Sequence, residues 1–403
     1  MLRKSIGAAC LVAGTAIGAG MIALPMTLAK LGLLPSIALM FGIWAVMYYT
    51  SLVSLELNLQ AGKGLSLGGL AQRYGGRVSQ ALGYVSFMLL CYALMSAYIY
   101  GGGETLINLL EMSHGPTLTH GYAILFFTAG LFAVLLFSLT WIDYINRVLF
   151  IKLLGILLLL CIGLMSRVHI SEIPMHEVFD LSAWKVALPV VFTSFGFQVI
   201  FHTLTDYCKN DKLVLKKAFF WGSLIPAFVY LFWIACVMGV LNTHNPAFYA
   251  QVVQGGVDVG QLMAELSRVA GGRWLQMMVW ILTVLAIITS AIGVCLGLID
   301  GWKAHFTGRS TVGHMGIVLV CIVPPALCAW WVPGAFIHAL SFAGMILVII
   351  AILLPQYLFY RGKRSGSFKT LHYPIVGNPL CQAACAVMGV GIMVFEIMNL
   401  LRL

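Results

Sequence analysis

Charge is what this sequence is shortest of. Lys, Arg, Asp and Glu supply only 9% of its 403 residues, against 61% hydrophobic, whereas soluble domains carry about 25%. An ordinary water-soluble protein is excluded. No polar stretch is long enough to form a separate soluble domain. Also absent are His-Glu-x-x-His, a phosphate-binding glycine loop and a paired-aspartate motif. His202-x-x-x-Asp206 shares one helix face but has no nucleophile or metal partner nearby. We therefore expect no enzyme activity, no metal and no cofactor. Nine of the ten cysteines fall inside apolar runs and Cys208 at an edge. Cys321/Cys328 and Cys381/Cys385 have no His or acid at zinc spacing, so they read as packing residues.

What fills the chain is membrane-length apolar sequence. Windows of about 20 residues give eleven expected spans, near 5–31, 34–58, 82–110, 119–140, 145–166, 184–206, 216–241, 274–299, 312–332, 335–359 and 379–401. The expectation is one all-α polytopic domain over 1–403. The run 6–31 is too long for a signal peptide and reads as a retained first helix. The stretch 255–268 alternates apolar and polar residues at helical spacing but is too short to span, so it reads as a re-entrant or surface helix. With the N-terminus in the cytoplasm, seventeen of the 23 Lys and Arg residues fall on inner connections, as the positive-inside rule requires. The C-terminus then lies in the periplasm of a bacterial inner membrane. The net charge of +10 is topology, not a nucleic-acid surface.

Two spans are broken. Gly14-Thr15-Ala16-Ile17-Gly18-Ala19-Gly20, closed by Pro25, places three glycines in seven residues of the first. Thr193-Ser194-Phe195-Gly196-Phe197 interrupts the sixth. Backbone that leaves the helix at membrane depth survives only where it lines a cavity or is buried in protein. Two such breaks, each opening one half, mark a solute-binding site at the midplane of a transporter. The halves, approximately 5–166 and 184–360, hold five spans each, and an odd number inverts the second copy. This is the LeuT-type 5+5 inverted repeat, with spans 1 and 6 discontinuous and 379–401 as an added helix.

A restarting helix favours an anion. The N–H groups of Ala19, Gly20 and Met21, flanked by Thr15 and Gly18, are expected to meet a carboxylate. The carbonyls of Ala16, Phe192, Thr193 and Ser194 are expected to meet an ammonium. The alternative for Gly14-xxx-Gly18 is a helix-packing notch. Tyr92, Tyr98, Phe195, Phe197 and Val294 either contact a flat apolar side chain or are ordinary core and lipid-facing residues. Gln198 and Ser290 are candidates for a phenol hydroxyl or an indole N–H.

The first break with Met21 and Leu24-Pro25 is similar to the first-helix signature of the bacterial hydroxy and aromatic amino acid permeases. The resemblance continues in Leu94-Met95-Ser96-Ala97-Tyr98-Ile99, Phe192–Phe197, Thr289-Ser290, Gly297-Leu298-Ile299-Asp300 and Pro324-Pro325. It covers nearly the whole chain and is closest to the tyrosine-specific branch. That branch has a His-Gly pair and then a proline after the position of Phe197, where this chain reads Gln198-Val199-Ile200-Phe201-His202-Thr203. The resemblance implies secondary import of an aromatic amino acid, tyrosine first, with tryptophan, serine or threonine as alternatives. It implies proton symport, with sodium as the alternative coupling ion. A channel would instead favour a repeated pore helix and filter loop.

By the same resemblance, Lys152 stands where related proton-coupled carriers replace a sodium ion, beside Gly14 and Ile17. Its other reading is a lysine snorkelling to the headgroups. Thr289 and Ser290 match the hydroxyl positions of a sodium site. His202 either titrates near neutral pH or packs. Glu104, Asp143, Asp206 and Asp300 fall near span ends and read as gate or interface charges.

Overall fold

The structure, a computed structural model, describes residues 2–401 apart from 63–64, 113–114, 138, 176–179, 199–200, 202–203, 206–207, 210, 304–310, 333 and 369. Among the described residues the secondary structure is helical, without strands. The first half runs α1 (Leu2–Ala16), α2 (Gly20–Leu28), α3 (Leu33–Ala61), α4 (Leu67–Met112), α5 (His120–Leu135) and α6 (Leu139–Met165). The second begins with α7 (Leu181–Ser194), α8 (Lys212–His244), α9 (Pro246–Val253), α10 (Val259–Val269) and α11 (Arg273–Lys303). It ends with α12 (Thr311–Trp331), α13 (Ala335–Val348), α14 (Leu354–Arg364) and α15 (Pro379–Leu400).

Eight helices among the described residues are long and apolar enough to cross a membrane, or nine when the bent pair α1–α2 counts as one. The chain is a multi-pass membrane protein. A helix stands at each of the eleven expected positions, but α5 and α7, with 16 and 14 residues, are short of a full span. A spanning helix needs about 20 residues, and α7 stops at Ser194 because the backbone leaves the helix there. The expected third span is the later part of α4. That helix starts at Leu67 and turns at Gly76, whose φ of 81° is a conformation glycine adopts without strain.

The two halves of the sequence interlock. α4 packs along α13, α11 packs along α6, and α4 and α11 pack against each other. The first span packs on α8, and α2 on α7. α6 and α15 lie outermost and leave Leu158, Leu159, Val387 and Val394 exposed, an apolar surface suited to lipid. Between α13 and α14 the ladder widens into a π segment, Ile349–Leu353. Pro355 explains it: a ring with no N–H two residues into α14 cannot continue the regular ladder. Gly344 lets α13 lie against α7, since a Cβ there would sit 2.3 Å from the Pro189 carbonyl oxygen.

α10 is the expected short amphipathic helix. Asp258 and Gln261 cap it reciprocally, and Leu262, Met263 and Leu266 bury its apolar face. Lys30, after α2, pairs with Asp180, the N-cap of α7, at 2.5 Å. Lys30 and Ser182 hold the Asp180 carboxyl down at about 2.

Glu56 on α3 is fully buried. Its carboxylate accepts the backbone N–H groups of His372 and Tyr373, at 3.1 and 2.9 Å, and the Gln60 amide at 2.7 Å. Tyr49 adds a bond to the Val376 carbonyl, and Tyr373 one to that of Lys212. The connection between α14 and α15 is thus pinned to α3 and the start of α8. Glu56→Ala leaves buried N–H groups unpaired at about 1–3 kcal/mol each. We expect a lower melting temperature and faster proteolysis of this connection, read in detergent by scanning fluorimetry and timed digestion.

Candidate functional site

The two breaks meet. α1 ends at Ala16, the backbone turns through 17–19, and α2 restarts at Gly20 with a 59° change of direction. The Cβ of any residue at Gly20 would lie 3.1 Å from Ser194 Oγ and 3.5 Å from Ser194 Cα. Ser194 is the last residue of α7, so the restart of one broken helix touches the end of the other. At Gly18 a Cβ would fall 2.4 Å from Ser290 Oγ. This close approach, rather than the loose turn that glycine also permits, is what the first break requires.

Third parties hold the breaks open. Ser290 on α11 accepts the Ala19 N–H at 2.8 Å, and the Tyr98 hydroxyl on α4 lies against the Ser290 side chain. Thr193 shares its hydroxyl between the carbonyls of Pro189 and of Leu340 on α13, at 2.9 and 2.8 Å. Two residues of α8 then join the breaks. The Tyr230 hydroxyl lies 2.6 Å from the Ala16 carbonyl and 2.8 Å from that of Ser194. Trp233 donates its indole N–H to the Met21 carbonyl at 3.1 Å. Both side chains are fully buried, and Phe195 meets the Tyr230 ring edge-on at 5.6 Å.

This geometry corrects several expectations. Of the N–H groups assigned to a carboxylate, Ala19 donates to Ser290 and Met21 to the Gly18 carbonyl. Among the described residues the N–H groups of Gly20 and Gly18 are the ones at the turn without a protein acceptor. The carbonyls assigned to an ammonium are also engaged. Ala16 and Ser194 bind Tyr230, while Phe192 and Thr193 accept from Phe195 and Gly196. Each oxygen keeps a second lone pair, so polarity survives there without open valence.

Other candidates stand elsewhere. Tyr92 is part of a tie between α4, α11 and α12: it donates to Val320 and accepts from Trp302, both at 2.9 Å. Thr15 and Thr289 bond back to their own helices, at Leu11 and Leu285. Phe150, not Lys152, packs at Gly14, and Ile17 donates back to Ala13. Lys152 is exposed, on the side of α6 away from Leu153, Leu157 and Leu160. Its helical angle, not its depth, removes it from the break. Phe197 is buried against Phe219 of α8 at 6.0 Å. Val294 is half-buried, one turn beyond Ser290. His202, Asp206 and the Asp143 side chain lie outside the described residues. Glu104 pairs with His120 of α5 at 2.5 Å.

Gln198, four residues after the end of α7, lines a cavity of about 410 Å³ instead. Asn58, Tyr84, Phe87, Phe201 and Asp300 share its wall. Tyr230, Trp233 and the buried acid Glu396, which bonds Ser341 on α13, are additions that the sequence reading omits. A carboxylate inside an apolar run is a functional suspect by default, so Glu396 carried a usable signal.

Comparison with known proteins agrees in one direction. The model of the tryptophan/tyrosine permease family matches residues 1–396. Tyrosine-specific transport system 1 of Haemophilus influenzae is 30% identical, over 96% of this chain and 95% of its own. A tryptophan-specific transport protein of Pseudomonas aeruginosa is 28% identical, over 90% and 87% of the two chains. Glutamine transporter 2 of Aliivibrio fischeri is 29% identical, over 87% of each.

Proposed function

The chain belongs to the tryptophan/tyrosine permease family, a family of transporters and not enzymes, and from that premise we propose that it imports tyrosine by proton symport. The observation that carries the site is the junction of the two breaks under Tyr230. There the Gly18 and Gly20 N–H groups stand at the positive end of α2, without an acceptor among the described residues. A carboxylate suits that end, because the helix dipole and free N–H groups both favour negative charge. The ammonium takes the second lone pairs of the Ala16 and Ser194 carbonyls. Tyr98 and Phe195 stand beside the junction for the ring.

The architecture we assign is the LeuT-type 5+5 inverted repeat with α15 added. Its support is the pairing of contacts. Exchanging third span for eighth and fifth for tenth turns the α4–α13 contact into the α11–α6 contact and leaves α4–α11 unchanged. The N-terminus is cytoplasmic in this reading and the C-terminus periplasmic, in a bacterial inner membrane. The cavity beside Gln198 and Asp300 then opens toward the cytoplasm.

Proton coupling follows the resemblance set out above and not the hydroxyls. Thr289 donates to the Leu285 carbonyl and Ser290 accepts the Ala19 N–H, and each oxygen keeps a lone pair that a cation could use, so transport itself has to separate the two ions. Uptake into proteoliposomes should survive sodium removal and collapse with a protonophore. A strict sodium requirement would overturn the coupling. A competition panel against labelled tyrosine settles the solute: tryptophan should compete partly and glutamine, serine and threonine poorly. Strong competition by glutamine alone would displace the aromatic reading.

A further inference from the structure

We propose that the cavity of about 410 Å³ beside the second break is a second substrate subsite, on the release path, for an amino acid with a flat side chain. It rests on the transport reading above but not on the same atoms. Its volume falls in the range of about 300–1,000 Å³ typical of small-molecule pockets. None of the residues of the first break lines it.

The cavity is displaced along two helices. α4 and α11 run antiparallel: Tyr98 lies against Ser290, and the Tyr84 hydroxyl donates to the Gly301 carbonyl at 3.2 Å. Between them Phe87 lies opposite Gly297, 3.5 Å from where a Cβ there would stand. At 1.5 Å per residue, Gly297 is about 10 Å from Ser290, and Phe87 about 16 Å from Tyr98. A solute at this level has left the helix breaks and has not left the protein.

The lining states which solute. Gln198 is 7% exposed, and among the described residues its Oε1 has no hydrogen-bond partner, while its Nε2 reaches the Met47 sulfur at 3.2 Å. A buried acceptor without a donor is costly, and native structures seldom keep one without a reason. The oxygen itself is covered, so a phenol O–H or an indole N–H supplies that donor once the amide turns toward the cavity that Gln198 lines. Phe87, Phe201 and Tyr84 offer ring faces to an aromatic side chain. Phe201 is itself stacked on Phe219 of α8 at 4.6 Å, which holds it in place. Asp300, exposed at the wall, is the acidic side chain among the described lining residues. A carboxylate there attracts an ammonium and repels an anionic headgroup, so an amino acid fits better than a lipid.

The test compares the two faces of the carrier. Tyrosine half-saturation is measured for uptake from each side in proteoliposomes of fixed orientation, for wild type, Asp300→Asn, Gln198→Leu and Phe201→Ala. A release subsite raises the inner-side value about fivefold or more, as losing a charged hydrogen bond does, and leaves the outer-side value within about twofold. Asp300→Glu should restore part of the inner-side affinity. Size-exclusion and melting profiles exclude misfolding, and the exposure of Asp300 makes its variant the least disruptive. An equal rise on both faces would place these residues in the central site and overturn the proposal; so would no change on either face. Gly18→Ala, run in parallel, should raise both values. Its failure to do so would remove the break from the central site, and the asymmetry of the Asp300 and Gln198 variants would still decide the cavity.

Discussion

Gly20→Val is expected to abolish tyrosine binding in a protein that still inserts and purifies as a single species. The reason is the contact with α7. A Cβ at this position already lies 3.1 Å from Ser194 Oγ and 3.5 Å from Ser194 Cα, and the two γ-methyls of valine, held by a stiff χ1, extend beyond it. The serine hydroxyl can turn away, but the α7 backbone cannot. The two breaks must separate, and the Gly20 N–H moves with them. Gly20→Ala is the milder step: losing one charge-assisted hydrogen bond costs about 1.5–3 kcal/mol, roughly tenfold to a hundredfold in affinity. Ser194→Ala in the same chain should recover part of that loss by removing the nearer atom. Gly155→Val on α6 is the control, because nothing lies within 4 Å of a Cβ there. Gly163 on the same helix is unsuitable, since its Cβ would meet Leu275 Cδ2 at 2.4 Å. Equal binding of labelled tyrosine by purified wild type and Gly20→Val would remove this junction from the site.

The position of each break was legible because it depends on local chemistry. Glycine spacing and Pro25 set the first turn, and Thr193-Ser194-Phe195-Gly196 ends α7 where the sequence says it should. What closes the breaks was not legible. Buried Tyr and Trp need a partner for their polar atoms, and Tyr230 and Trp233 stand three apart on one face of α8. Nothing local states that their partners are the carbonyls of Ala16, Ser194 and Met21. Lys152 shows the converse: its depth along the span was readable, but its angle depends on which side of α6 packs. Phe150 and Leu153 take the inner side, so Lys152 is left outside. The N–H of Ala19 is free by local chemistry alone, and its acceptor, Ser290 some 270 positions away, lies in no window of sequence around the break. Glu56 and Glu396 are legible as acids in apolar runs, but each lies within two turns of a helix end, and the partners that bury them are distant in sequence.

Tyr230→Phe is expected to cost most of the transport and a measurable part of the stability, with little change in packing. Phenylalanine keeps the ring that Phe195 meets edge-on and removes only the hydroxyl. That hydroxyl has one proton and two acceptors, the last free carbonyls of α1 and α7, at 2.6 and 2.8 Å. Both are buried, so each left without a donor costs about 1–3 kcal/mol. The tie also makes the two breaks move as one. Without it, α1 and α7 can end independently, and the Gly20–Ser194 contact that shapes the carboxylate site loses its brace. Uptake should fall about tenfold or more, the factor that 1.4 kcal/mol sets, with a lower melting temperature in the purified protein. Trp233→Phe, which frees only the Met21 carbonyl, should be the weaker variant on both measures. Combining Tyr230→Phe with Gly20→Ala should give less than the sum of the two losses, because groups in one network couple by about 0.5–3 kcal/mol. Wild-type uptake and melting in Tyr230→Phe would show that the breaks hold together without α8, and the junction would then have to be explained by Ser290 and Thr193 alone.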